Sequence, residues 1–363
     1  MRKKNIFTLA ILLGVLIIIF LFISLEISQF KFKSKSKSIN LDYEIVAENL
    51  NIPWEIVFLP NGDMLVSERP GNLVRIGQNK TIIKIDGVKH IGEGGLLGLA
   101  LHPQFKNNSF IYLYLTSEIK GKIENRVERY EINLDNNLIR NKRLILERIP
   151  GADYHDGGRI AFGPDGFLYI TTGDAGNPES SQNINSLAGK ILRVDEHGLI
   201  PIDNPFDNEM YSFGHRNSQG IAWDNEGKLW STEHGRSSPS GFDELNLIEK
   251  GKNYGWPEIE GDKEKEGMRK PIVHSGHNYT WAPADAVYHN ENIFFTGLRG
   301  ETLYQYNIKQ KTLQEYLKYE FGRLRALAIY NNSLYISTSN KDGRGDIRSG
   351  DDKIIKIPIS SIR

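Results

Sequence analysis

After residue 40 the chain shows no long apolar stretch at the 3.6-residue period of a helix. Short alternating or aromatic-rich apolar runs are instead separated by Gly, Asn and Asp, the pattern of strands joined by tight turns. One phrase returns: a turn pair, then a strand of large apolar residues often ending in Ser or Thr. It reads NGDMLVS at 61–67, NNSFIYLYLT at 107–116, DGFLYITT at 165–172, EGKLWST at 226–232, NENIFFT at 290–296 and NNSLYIST at 331–338. Each copy is followed by a second strand-like phrase (NLVRI, RVERYEI, GKILRV, DELNLI, TLYQY, DKIIKI), as expected of neighbouring antiparallel strands in one unit. The copies stand 46, 58, 61, 64 and 41 residues apart. Propeller repeats usually take roughly 40–50, so the middle units carry insertions. Six returns of one phrase favour radial repetition over a sandwich and predict an all-β, six-bladed β-propeller across residues 42–363. YEIVAEN at 43–49 is expected to pair with the carboxyl-terminal strand and close the ring, leaving no long open edge.

The amino end follows a different pattern. Behind Arg2, Lys3 and Lys4, residues 6–25 run twenty positions without a charge. As a helix that length crosses a hydrocarbon core of about 30 Å. It exceeds the roughly 7–15 apolar residues of a cleavable signal, and no small-x-small cleavage site precedes Lys31. Residues 1–28 therefore read as one transmembrane helix, a membrane anchor or uncleaved signal, and residues 29–41 as a charged linker carrying Lys31, Lys33, Lys35 and Lys37. Those lysines nearly balance the charges before the helix, so charge alone does not set its orientation.

Composition narrows the function. The 363 residues contain no Cys, which excludes disulfides, thiolate metal sites and cysteine nucleophiles. The whole chain is formally neutral, but residues 1–38 hold seven Lys or Arg and one Glu; without them 38 positive side chains face 44 negative, a net of −6. A nucleic-acid binder usually shows the opposite sign, so no nucleic-acid partner is expected.

Polar clusters gather at strand ends and in the insertions, where a propeller presents them around one mouth of its channel. The densest is Tyr154-His155-Asp156-Gly157-Gly158-Arg159, with Thr171-Thr172-Gly173-Asp174 following; Asp174 lies nineteen residues after His155. One hairpin would join them, letting Asp174 fix the imidazole tautomer and make His155 a general base; the alternative is that both cap turns. Arg216 and Asn217 suit an anionic or carbonyl-bearing ligand, Glu244 with backbone oxygens suits a hard cation such as calcium, and a surface salt bridge is the alternative for each. Arg323 and Arg325, two apart on an extended segment, point the same way and suit a flat polycarboxylate.

GEGGLLGLALHPQF (92–105), HDGGRIAFGPDGFLYITTGD (155–174), SLAGKILRV (186–194), GHRNSQGIAW (214–223), EHG…DELNLI…KNYGWP (233–257), TGLRGETLY (296–304), FGRLRALAI (321–329) and SNKDGRG…GDDKIIKI (339–357) resemble, in order, the glucose/sorbosone dehydrogenase family, which includes soluble pyrroloquinoline quinone (PQQ)-dependent aldose dehydrogenases. The resemblance implies a six-bladed propeller working outside the cytoplasm. By position His155 matches the base that takes the anomeric hydroxyl proton as hydride passes from the sugar C1 to the quinone, and Asp174 its partner. Arg216 and Asn217 match contacts to the quinone oxygens; Arg323 and Arg325 match the pair holding cofactor carboxylates; Arg299 falls where many members have lysine. Glu93 occupies the place of a substrate-binding glutamine, and Tyr279 and Trp281 lie near the aromatic walls of the sugar site. Glu244 with the Tyr254 carbonyl matches a structural calcium site. Gly235-Arg236 stands where other members have Gly-Pro offering carbonyls to a second calcium beside the cofactor, and Arg236 is there positioned to meet a cofactor carboxylate instead.

No strand-linked GxGxxG points to a nicotinamide. The resemblance thus implies an extracytoplasmic oxidoreductase with PQQ and Ca²⁺ that oxidises aldoses to lactones and passes electrons to an unidentified acceptor, and the apolar run at residues 6–25 adds the expectation of a membrane anchor. A calcium-dependent propeller lactonase and a non-catalytic binding propeller are the competing classes.

Overall fold

The computed structural model describes residues 41–236 and 241–362. The expected membrane helix at residues 6–25 and most of the linker lie outside them; among the described residues no helix is long and apolar enough to cross a membrane. The described chain forms six four-stranded antiparallel sheets. Their first strands, Pro53–Phe58, Leu96–Leu101, Ile160–Phe162, Ser218–Trp223, Pro283–His289 and Leu324–Tyr330, line the central channel, and the first of these packs against the sixth. Each recurring turn-plus-strand phrase is the second strand of a blade, and each phrase after it is the third. The ring closes as expected: Glu44–Ala47 pairs antiparallel with Ile354–Pro358, so the sixth blade takes its outermost strand from the amino end.

Alternation along these strands buries side chains on both sheet faces, because each blade is sandwiched between neighbours. Tyr112, Tyr114 and Val127 of the second blade pack with Ile160, Leu168, Ile170 and Leu192 of the third, all with under a tenth of their surface exposed. Each such side chain contributes about 1.5–3 kcal/mol by leaving water.

Charge plugs the channel. Arg159 donates to Glu55, lies 3.2 Å from Asp285, gives its Nε–H to the Gln219 carbonyl at 2.8 Å, and sits 4.1 Å over the Trp54 ring. Trp54 and Gln219 line a cavity at one mouth, whereas Glu55 and Asp285 line a separate pocket of about 520 Å³ on the other side. Two buried carboxylates share one guanidinium. Burial raises Glu55 to about 8 against the pull of Arg159, and repulsion from Asp285 adds to the rise; burial likewise raises Asp285.

A folded-state value above the ordinary 4.5 means the proton's contribution to stability is complete below about pH 4.5 and is lost as pH rises through about 8. Glu55→Gln is expected to flatten the decline in unfolding free energy across that window, measured by urea melts. An unaltered pH slope would refute the shared proton.

Candidate active site

In an antiparallel four-stranded blade, the loop from strand two to three and the loop from strand four to the next blade leave by the same edge. All residues lining the cavity of about 770 Å³ at that mouth come from those loops or the adjoining strand ends. His155, Glu93, Arg216, Gly235, Arg236, Arg299, Arg323 and Arg325 are among them, so residues from five blades or their linkers converge on one space.

His155 has φ of 62°, a left-handed conformation uncommon for a side-chain-bearing residue. It is held from both sides: its amide donates to Glu93 Oε2 at 3.0 Å, and its carbonyl accepts the Ala175 amide at 3.2 Å. A β-carbon on Gly173 would stand 1.8 Å from the His155 carbonyl oxygen, so glycine alone permits these two loops to touch. The contact brings His155 Nδ1 to 2.7 Å from Asp174 Oδ1. Asp174 is almost fully buried and also accepts from the Gly176 amide and, at 2.9 Å, from the Trp256 indole. A carboxylate so fixed can only accept from Nδ1–H, which leaves Nε2 as the nitrogen free to take a proton. The second His–carboxylate pair differs. His215, wholly buried, meets Glu233 through Nδ1 at 2.8 Å and Ser212 through Nε2 at 2.8 Å, and has no free valence.

The walls are strongly basic. Arg69, Arg216, Arg236, Arg299, Arg323, Arg325 and Arg344 face Glu93, Asp156, Asp243 and Asp342. Arg323 and Arg325 approach Asp342 at 2.8 and 3.5 Å. Burial nonetheless lowers Arg325 to about 9, opposed by Asp342. Arg216 gives Nη1–H to the His234 carbonyl at 3.2 Å and lies 5.3 Å from the Trp256 ring; Arg236 lies 4.6 Å from the same ring and pairs with Glu260 at 2.8 Å. Burial raises Asp156 to about 7. Burial would also raise Glu93, but the His234 imidazole, the His155 amide and Arg344 at 2.6 Å outweigh it and hold Glu93 at about 2. Burial lowers His234 itself to about 4 despite Asp243 and Glu93, so near neutral pH the ionised Glu93 rests on the amide and Arg344.

Three expected contacts fall elsewhere. Asn217 is fully buried behind the wall, its Oδ1 accepting the Gly157 amide at 3.0 Å and its Nδ2 without a hydrogen-bond partner. Trp281 does not wall the cavity: it sits in a core cluster, 5.3 Å from Phe295 and 5.4 Å from Tyr304. Tyr279 is 73% exposed and lies outside the cavity lining. Glu244 and Tyr254 border a small side pocket shared with Gly235 and Arg236. There burial, then repulsion from Glu233, raises Glu244 to about 8. Among the described residues no group of three or more His, Cys, Asp or Glu converges on a metal position.

Arg69, Asp342 and Arg344 carry no signal in the sequence that marks them for the site. Arg69 and Arg344 sit in the GNL- and DGRG-type turns between second and third strands, which only ring closure turns toward His155.

A family model described as Glucose / Sorbosone dehydrogenase matches residues 50–349. The chain belongs to the glucose/sorbosone dehydrogenase family. Among its relatives, quinoprotein glucose dehydrogenase B of Acinetobacter calcoaceticus is 33% identical over 63% of this chain and 55% of its own length. Aldose sugar dehydrogenase YliI of Escherichia coli is 35% identical over 60% of this chain and 62% of its own. The matched region thus spans less than two thirds of these curated relatives. The PQQ-bound form of an aldose sugar dehydrogenase from Streptomyces coelicolor superposes with a TM-score of 0.81 at 37% identity, covering 87% of this chain and 98% of that one.

Proposed function

We propose that this glucose/sorbosone dehydrogenase family member is a PQQ-dependent oxidoreductase that oxidises aldoses at C1 to lactones. The observation that carries the reading is His155, backed by Asp174, opening onto a cavity lined by seven guanidiniums and four carboxyl groups. That excess of cations suits a tricarboxylate, and its volume lies within the roughly 300–1,000 Å³ of small-molecule sites. The quinone, when bound, supplies the hydride acceptor. His155 Nε2 takes the C1 hydroxyl proton, while Asp174 keeps Nδ1–H pointed away and stabilises the imidazolium. Arg323, Arg325 and Arg299 hold carboxylates; Arg216, stacked near Trp256, offers N–H donors to developing oxygen charge. Glu93 lies beside His155 and accepts sugar hydroxyls. A sugar thus loses a hydride and a proton, leaving the lactone.

Titration of PQQ into apo protein, followed by its absorption, and aldose-dependent reduction of an artificial dye test the reading. Saturable binding with turnover supports it; no quinone binding would leave a sugar- or protein-binding propeller.

Calcium belongs to the same proposal. Glu244 is half-buried, accepts only from Asn246 and Gly261 at 3.2 Å each, and has no cationic partner among the described residues, so the site fits a divalent cation with the Tyr254 carbonyl. Calcium at about 100 times its dissociation constant is expected to stabilise by about 2.7 kcal/mol, read as a rise in Tm. Glu244→Gln should abolish the rise; an equal rise in that variant would place the ion elsewhere. Beside the cofactor, Arg236 supplies positive charge where relatives offer carbonyls. We also place the propeller outside the cytoplasm, tethered through residues 6–25, which protease accessibility on intact cells would test.

A further inference from the structure

Arg69 lies in the turn between the second and third strands of the first blade, 3% exposed, on the cavity wall. Its Nη2 donates to the Gly92 carbonyl and stands 3.4 Å from His90 Nε2, while its Nε is buried without a hydrogen-bond partner. Among the described residues no carboxylate comes within ion-pair distance of it. The other buried arginines of the wall are better provided: Arg323 and Arg325 share Asp342, and Arg216 leans on Trp256 and a carbonyl, while the exposed Arg344 pairs with Glu93. Asp342 and Glu93 act on Arg69 only through space, and Arg325 lines the same cavity, where the charge of Arg69 opposes its own. A buried cation without a counter-ion destabilises the fold that contains it, and the like charge of Arg325 on the same wall adds to this. A carboxylate entering the cavity beside Arg69 would supply the missing counter-ion.

We propose that Arg69 and Arg325 together form a carboxylate seat on the cavity wall, completed by the molecule that occupies it. Planar guanidiniums meet a carboxylate through paired N–H donors, and Arg69 commits only Nη2 to a protein carbonyl, which leaves Nη1 for the ligand. The inference rests on the quinone reading for the identity of the ligand, since PQQ and an acidic sugar each carry a carboxylate; it does not rest on that reading for the seat itself.

Arg69→Met and the charge-retaining Arg69→Lys are measured against the unmodified protein in three ways. Apo Tm is expected to hold or rise in Arg69→Met, because the unpaired charge is gone. PQQ dissociation constants, by absorption titration, are expected to weaken at least about tenfold in Arg69→Met and less in Arg69→Lys, with the KM ratio of glucuronate to glucose unchanged; this assigns the seat to the cofactor. Unchanged PQQ affinity with a tenfold rise in that ratio assigns it to an acidic sugar. Benzene-1,3,5-tricarboxylate, as a plain polycarboxylate, should raise the Tm of the unmodified protein more than that of Arg69→Met whether or not PQQ binds, separating failure of the seat from failure of the quinone reading. A fall in apo Tm with carboxylate binding unaltered in all arms would make Arg69 a scaffold residue and overturn the proposal.

Discussion

His155→Ala is expected to reduce aldose-dependent dye reduction by about 10²–10⁴-fold, the range that a positioned general base contributes, while the PQQ dissociation constant changes little. Among the described residues, the imidazole is the only cavity group with a buried carboxylate hydrogen-bonded to one ring nitrogen and the other nitrogen left to the ligand. Its loss removes a proton acceptor, whereas the seven arginines that would hold the cofactor remain. The loss should appear in kcat, because the sugar still has Glu93 and its neighbours to bind. Asp174→Asn is expected to lower kcat in the same direction, since an amide can present N–H to Nδ1 and reverse the tautomer. Turnover in His155→Ala within a few-fold of the unmodified protein would remove the base assignment. Lost quinone binding would show that the residue holds the cofactor.

Arg159→Met carries the largest expected effect on stability. The guanidinium is the shared partner of Glu55 and Asp285, both buried, and methionine would leave them facing each other without a cation. Removing one partner from a buried ion pair costs about 3–5 kcal/mol. The loss should be visible as a lowered denaturation midpoint, and it should shrink as pH falls through about 8, where Glu55 takes up a proton. Arg159 also bridges three blades through Glu55, Gln219 and Asp285, so the same variant is expected to loosen the floor of the cavity and weaken ligand binding. A change below about 1 kcal/mol would mean that water or a rearranged side chain already compensates the pair.

Local pattern determined a large part of this protein. Each strand needs only its own alternation and turn to form, so six returns of one phrase were enough to count the blades, and YEIVAEN could be paired with the last strand because an open ring would leave a bare edge. The His155–Asp174 pair was equally legible: one hairpin separates them, and the glycine that lets their loops touch is the residue before Asp174. Reading an aromatic from sequence tells its bulk but not its direction. Trp281 and Tyr279, two apart in one loop, were expected to face a sugar; the first fills the core of the fifth blade and the second points to solvent.

Ring closure decided what remained. Arg69 and Arg325 stand 256 positions apart in sequence and on the first and last blades, and Arg344 reaches Glu93 across 251 positions. No local signal ties such residues, since their nearness follows from where the sixth blade meets the first. Arg159 sat inside the densest polar cluster, yet its role as the channel plug depends on Glu55 and Asp285 arriving from two other blades. The chain alone determined the blades and the His155–Asp174 pair lying within a single hairpin; charge balance, which needs every member of the site at its distance, existed only once the circle was closed.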